Sequence, residues 1–148
     1  MILRRVVATG TFDILHPGHL YYLEESKKMG DELWVIVARD ANVKHKPCPI
    51  IPEEHRLQMV AALKPVDHAM LGDKTDMFRP IEEIRPEVIT IGFNQHFDER
   101  TLHQQLTERG LAPEIVRIGK YEDEELCSSR FVVQRIIDVR GKKDGTQG

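Results

Sequence analysis

The sequence predicts an α/β fold in which a doubly wound, parallel, five-stranded sheet carries helices on both faces. Two observations predict it. Short apolar runs alternate along the chain with stretches of helical periodicity, and the runs are apolar nearly throughout rather than at every second position. Strands of that kind are buried on both faces, the condition of a parallel sheet held between helix layers.

The first strand, Arg5–Thr9, is the unbroken run Arg-Val-Val-Ala-Thr, and the helix after it starts at Pro17, continues to about Met29 and stops at Gly30. Glu32–Ala38 is the second strand, followed by a helix over Glu53–Leu63 behind Pro52. Val66–Leu71 is the third, followed by a helix over Asp76–Ile84 interrupted near Pro80. Val88–Gly92 is the fourth, with a helix over Asp98–Arg109 closed by Gly110. Glu114–Ile118 is the fifth. The last helix, Ser128–Val139, sets Val133, Ile136 and Ile137 on the helical period, so it is expected to pack on the sheet and end at Gly141. One domain over 1–140 and a frayed tail over 141–148 complete the organisation.

Charge and composition narrow the function. Twenty-one Lys and Arg against 24 Asp and Glu give a net charge of −3, so no nucleic-acid partner is expected. No apolar run approaches the ~20 residues of a membrane span, and Met1 leads into Ile-Leu-Arg-Arg without a signal-peptide core, so no membrane and a cytoplasmic location are expected. Cys48 and Cys127 read as two thiols in a reducing compartment.

Ligands of doubly wound sheets sit at the carboxyl ends of the strands. There the first strand runs into Gly10-Thr11-Phe12-Asp13-Ile14-Leu15-His16-Pro17-Gly18-His19. Glycines permit close backbone approach, the helix start offers unpaired N–H groups, and two imidazoles three positions apart share a helix face, a combination that suits phosphate. Taken alone, His-x-x-His reads first as a capped helix with two histidines satisfied by hydrogen bonds. No third ligand stands nearby, so no metal site is expected from the pair. Cys127-Ser128-Ser129-Arg130 opens the last helix: taken alone it reads first as an ordinary Ser cap, and beside the first motif as a second anion site of hydroxyls, N–H groups and a guanidinium. At that helix end, beside Arg130, the Cys127 thiol is a candidate for a lowered pKa.

The decapeptide resembles the Gly-x-Phe-Asp-x-x-His-x-Gly-His signature of the cytidylyltransferase-like nucleotidyltransferases, in the same strand-loop-helix setting. The resemblance implies a Rossmann-like nucleotidyltransferase fold and a site of definite membership. His16, His19, Lys44 and Arg130 would be catalytic. Thr11, Phe12, His16, His19, Gly92, Asn94, Ser128, Ser129 and Arg130 would bind the nucleotide, and Lys44 and Arg56 the acceptor's phosphate. Asp13 is expected to orient the loop. Val35-Ile-Val-Ala-Arg-Asp40, Pro49-Ile-Ile-Pro-Glu-Glu54, Ala62-Leu-Lys-Pro-Val-Asp67 and Gly92-Phe-Asn-Gln95 are similar to the archaeal-type FAD synthase branch, the FMN adenylyltransferases, over about Val6 to Ile137. That branch implies ATP and FMN as substrates, a divalent cation, most simply Mg²⁺, arriving with ATP, and a homodimer. Asn94 stands where cytidylyl-transferring relatives carry an acidic residue. Glycerol-phosphate cytidylyltransferases, sugar-phosphate adenylyltransferases and phosphopantetheine adenylyltransferases share the phosphate machinery. A nucleotide-binding regulatory module would not need His16, His19, Lys44 and Arg130 intact.

Overall fold

A computed structural model describes residues 2–43, 48–121 and 128–141. Five strands form one parallel sheet: β1 (Arg5–Gly10), β2 (Glu32–Val37), β3 (His68–Leu71), β4 (Val88–Ile91) and β5 (Glu114–Arg117), in the order β3-β2-β1-β4-β5. Among the described residues five α-helices accompany them: α1 (Pro17–Lys27), α2 (Glu53–Ala61), α3 (Arg79–Ile84), α4 (Glu99–Glu108) and α5 (Ser129–Arg140).

Alternation along the strands divides the core into two layers, because successive side chains leave a strand on opposite faces. Val6 and Ala8 of β1 with Leu33, Val35 and Val37 of β2 pack against Leu23 of α1 and Val60 of α2. Val7, Ile36, Ile89 and Ile91 face the other way, onto Ile81 and Ile84 of α3 and Leu102 and Leu106 of α4. The expected doubly wound sheet with helices on both faces is therefore the observed one. The strand order reverses between β1 and β4, and the crevice beyond their carboxyl ends is where such a sheet admits ligands.

Three details differ from the sequence reading. β3 begins at His68 rather than Val66, since the Asp67 carboxylate turns back to accept from the Leu33 N–H (2.8 Å) and Lys27. α3 is not interrupted at Pro80 but starts beside it, with proline in the first turn, where its missing N–H costs nothing. The segment before α3 is instead a turn, in which the Asp73 carboxylate accepts from the N–H groups of Thr75 and Asp76. The third difference is larger. α5 does not pack on the sheet: none of its residues is buried, and Ile136 and Ile137 are 51% and 54% exposed. Both faces of the sheet are already taken by α1 with α2 and by α3 with α4, so no layer is left for a fifth helix. Among the described residues no helix is long and apolar enough to cross a membrane.

Candidate active site

The loop between β1 and α1 is built around one strained residue. Phe12 takes φ +54°, and its ring lies over Gly10, where any Cβ would stand 2.8 Å from the ring carbons. Glycine at position 10 is thus a steric requirement, and the left-handed residue two positions on is strain of the kind that collects at ligand sites. Phe12 is itself buried, which holds the turn in place.

His16 caps α1, a role more often filled by Ser or Asp. Its Nδ1 accepts from the Gly18 N–H at 3.0 Å, so the proton of the neutral ring belongs on Nε2. Burial pushes the His16 pKa below its ordinary value, which keeps that tautomer at neutral pH. The rings of His16 and His19 stack with centroids 3.8 Å apart, and Phe12 meets the His19 ring at 5.3 Å. The two imidazoles are therefore one packed unit at the end of β1.

Asp13 reaches a neighbouring loop: its carboxylate accepts from the N–H groups of Ile50 (3.0 Å) and Ile51 (2.9 Å). Arg56 is placed otherwise than expected. Its side chain is fully buried, and the guanidinium donates to the carbonyls of Ile51, Thr11 and Ala38 and to the Asp40 carboxylate at 2.5 Å. Spent on backbone and on Asp40, it cannot hold an acceptor phosphate. It pins the loops after β1 and β2 together instead.

The start of α5 meets the same loop. Ser128 caps the helix by accepting from the Phe131 N–H, and Ser129 bonds both backbone groups of Ile14 at 3.1 Å. The Ser129 hydroxyl proton is thereby committed to Ile14, so what α5 presents to an anion is its first N–H groups, the Ser128 hydroxyl and the exposed Arg130. Gly92 follows β4, and Asn94 stands exposed beyond it. Lys44 and Cys127 lie outside the described residues.

Three contributors escape sequence reading. Gln95 receives the Gly92 N–H on Oε1 (2.6 Å) and donates from Nε2 to the Thr9 carbonyl (3.1 Å), tying the end of β4 to that of β1. The Tyr22 hydroxyl, buried so that its pKa rises to about 12, reaches the Thr90 carbonyl at 2.8 Å and ties α1 to the same two strands. Arg117 gathers the loop after β4. No local signal marks it, since it closes a strand, Glu-Ile-Val-Arg, that is charged at both ends.

Among the described residues no three His, Cys, Asp or Glu side chains group as a metal site. The carboxylates of Asp13 and Asp40, in the loops after β1 and β2, are taken by backbone N–H groups and by Arg56. The described side chains thus form no cage for a resident cation. The arrangement suits a polyphosphate: the stacked His16 and His19 rings follow β1, and the Ser129–Ile14 bonds bring the first N–H groups of α5 to the same loop.

A profile described as Cytidylyltransferase-like matches residues 7–135. The chain is 72% identical over 144 residues to an FAD synthase of Methanoregula boonei, covering 97% of each chain. It is 73% identical over 139 residues to an FAD synthase of Methanosphaerula palustris, covering 94% of this chain and 91% of that one. It is also similar to a solved structure from Thermoplasma volcanium GSS1, described as a lipopolysaccharide core biosynthesis protein, with TM-score 0.79 and 48% identity over 81% of this chain and 99% of the other.

Proposed function

The chain belongs to the cytidylyltransferase-like family, and from that premise we propose that it is an FAD synthase, transferring AMP from ATP to FMN with release of pyrophosphate. The observation that carries this reading is identity of 72% and 73%, over nearly the whole chain, to two proteins of that name.

The reaction needs no protein nucleophile. The FMN phosphate, anionic at neutral pH, attacks the α-phosphorus of ATP in line. A new P–O–P bridge forms as the bond to the β-phosphate's bridging oxygen breaks, and pyrophosphate carries the electron pair away. The protein's part is to bring mutually repelling anions together and to meet charge as it develops. We assign His16, through its Nε2–H, and His19 to phosphate oxygens at the transferred group. The peptide N–H groups of Thr11 and Phe12 line the same strand end. The start of α5, with Ser128, Ser129 and Arg130, receives the outer phosphates, Ser129 by its N–H and by holding Ile14. Lys44 supplies charge at the acceptor phosphate, and Gly92 and Asn94 face the nucleotide. Because Asp13 and Asp40 are engaged elsewhere, a divalent cation, Mg²⁺ in this reading, enters bound to the triphosphate. Cys127 directly precedes Ser128 in the sequence, and its alkylation is expected to block ATP. The exposed Ile136 and Ile137 support a homodimer, to be checked by sedimentation, and the location in this reading is the cytoplasm.

The experiment is incubation of the pure protein with ATP and FMN, and in parallel with CTP and glycerol phosphate, while pyrophosphate and FAD are followed. FAD formation is expected only in the first mixture. Pyrophosphate release from CTP and glycerol phosphate, without FAD from ATP and FMN, would overturn the reading.

A further inference from the structure

The segment between β4 and α4 has neither helical nor strand bonding of its own, yet one side chain from the neighbouring strand gives it a fixed shape. Arg117, the last residue of β5, donates from Nη1 to the carbonyls of Gly92 (2.9 Å), Phe93 (3.4 Å) and Gln95 (3.1 Å), and from Nη2 to Phe97 (2.7 Å) and the Glu99 carboxylate. A planar fork of fixed donors can collect carbonyls that point at it from several directions, which a single ammonium cannot do. Glu99 balances the charge, so Arg117 differs in kind from the exposed Arg130. Gln95 then refers the whole loop to β1 through Thr9, the strand that leads to His16 and His19. Phe93 and Asn94 stand exposed on this loop.

We propose that Arg117 is a positioning residue for nucleobase recognition: it holds residues 92–98 in the one shape in which the loop's peptide groups and Asn94 meet the base of the triphosphate. With four carbonyls drawn to the guanidinium, the polar groups this loop offers a ligand are mainly N–H donors, which match the acceptor ring nitrogens of a purine. The proposal rests on the nucleotide-transfer reading and names how that site distinguishes one base from another.

The test compares wild type with R117K and R117A. Binding of ATP and of inorganic tripolyphosphate, which has no base, is measured by calorimetry without FMN, and kcat and the two KM values are measured in turnover. Expected are a roughly tenfold or larger weakening of ATP binding and rise in KM for ATP in R117A, a smaller one in R117K, and tripolyphosphate binding, kcat and KM for FMN within about threefold of wild type. Parallel weakening of ATP and tripolyphosphate would overturn the proposal, since the defect would then be general. So would a fall in kcat alone, or unchanged ATP binding in R117A. If wild type binds ATP but makes no FAD, the assigned reaction fails while the comparison of ATP with tripolyphosphate still decides the role of Arg117. Wild type that binds no ATP would overturn both.

Discussion

Ser129 and Ile14, 115 residues apart, are joined by a reciprocal pair of hydrogen bonds, the Ile14 N–H donating to Oγ and Oγ donating to the Ile14 carbonyl, both at 3.1 Å. The bond pair fastens the start of α5 to the loop that carries the histidines, although α5 buries none of its residues. It is expected to matter to function more than to stability. Ser129→Ala is expected to cost only about 1 kcal/mol of stability, as such bonds do when water can replace them, yet to raise KM for ATP, because the two halves of the phosphate site lose their register. Ser129→Thr, which keeps the hydroxyl, should retain activity. Steady-state kinetics of the two variants check this, and an unchanged KM in Ser129→Ala would break the link.

His16→Ala and His19→Ala should each lower turnover by about 10²–10³, the cost of one donor at a developing negative charge. Circular dichroism and ATP binding should stay close to wild type, since both side chains are only partly buried. Near-normal pyrophosphate release by either variant would remove that residue from the transition state.

Acid should weaken the fold through His16. Its folded pKa lies below the ordinary histidine value because burial disfavours the imidazolium. Below about pH 6.5 the unfolded chain therefore takes up this proton before the folded one does. The contribution is present in full above that pH and is lost as pH falls from there through the folded pKa. The depressed carboxylates, Asp67 and Asp73 among them, give way in the same direction but at lower pH. His16→Asn can still cap α1 without titrating. Between pH 7.5 and 5.5, urea denaturation should show wild type losing more stability than His16→Asn. Equal losses would mean that His16 protonation is not coupled to folding.

How much of this was legible in the sequence depends on whether a residue's role is local. The strand-to-helix junction could be read because Gly10, Phe12, His16 and Gly18 act on one another within ten positions. α5 misled for the opposite reason: its period was read correctly, but whether a sheet face remained to receive it depended on where four other helices had packed. Arg56, Gln95 and Arg117 do their work through carbonyls 5 to 86 positions away, and no local pattern announces such partners. A cation near an anion site was read as an anion ligand, and for Arg56 the backbone had claimed it first.

Arg56→Met separates these two roles. Removing a buried guanidinium leaves the carbonyls of Ile51, Thr11 and Ala38 short of a donor and Asp40 without its partner. A loss of about 3 kcal/mol or more is expected, given roughly 1–3 kcal/mol for each buried group left unsatisfied. Urea denaturation measures it. A variant as stable as wild type but with a raised KM for FMN alone would restore Arg56 to the acceptor phosphate.

Arg85 offers the opposite change, a stabilisation. It ends α3 in the left-handed region, at φ +52° and ψ +63°, with its N–H donating to the Ile81 carbonyl at 2.8 Å. Glycine is the usual residue at this position after a helix, because a Cβ in that conformation costs roughly 1–2 kcal/mol. Arg85→Gly removes that strain and keeps the backbone bond, since the N–H remains. Against it stands the greater freedom that glycine gives the unfolded chain, about 0.5–1 kcal/mol. The difference favours the variant by about 0.5–1 kcal/mol, which in a chain of this size is a rise in Tm of roughly 1–4 °C. Arg85→Asn, tolerant of the same region, should gain part of it, and Arg85→Ala none. The site lies at the amino-terminal end of β4, so turnover should not change. Calorimetric melting of the three variants decides the matter: a lower Tm for Arg85→Gly than for Arg85→Ala would mean that the arginine's conformation carries no strain for glycine to relieve.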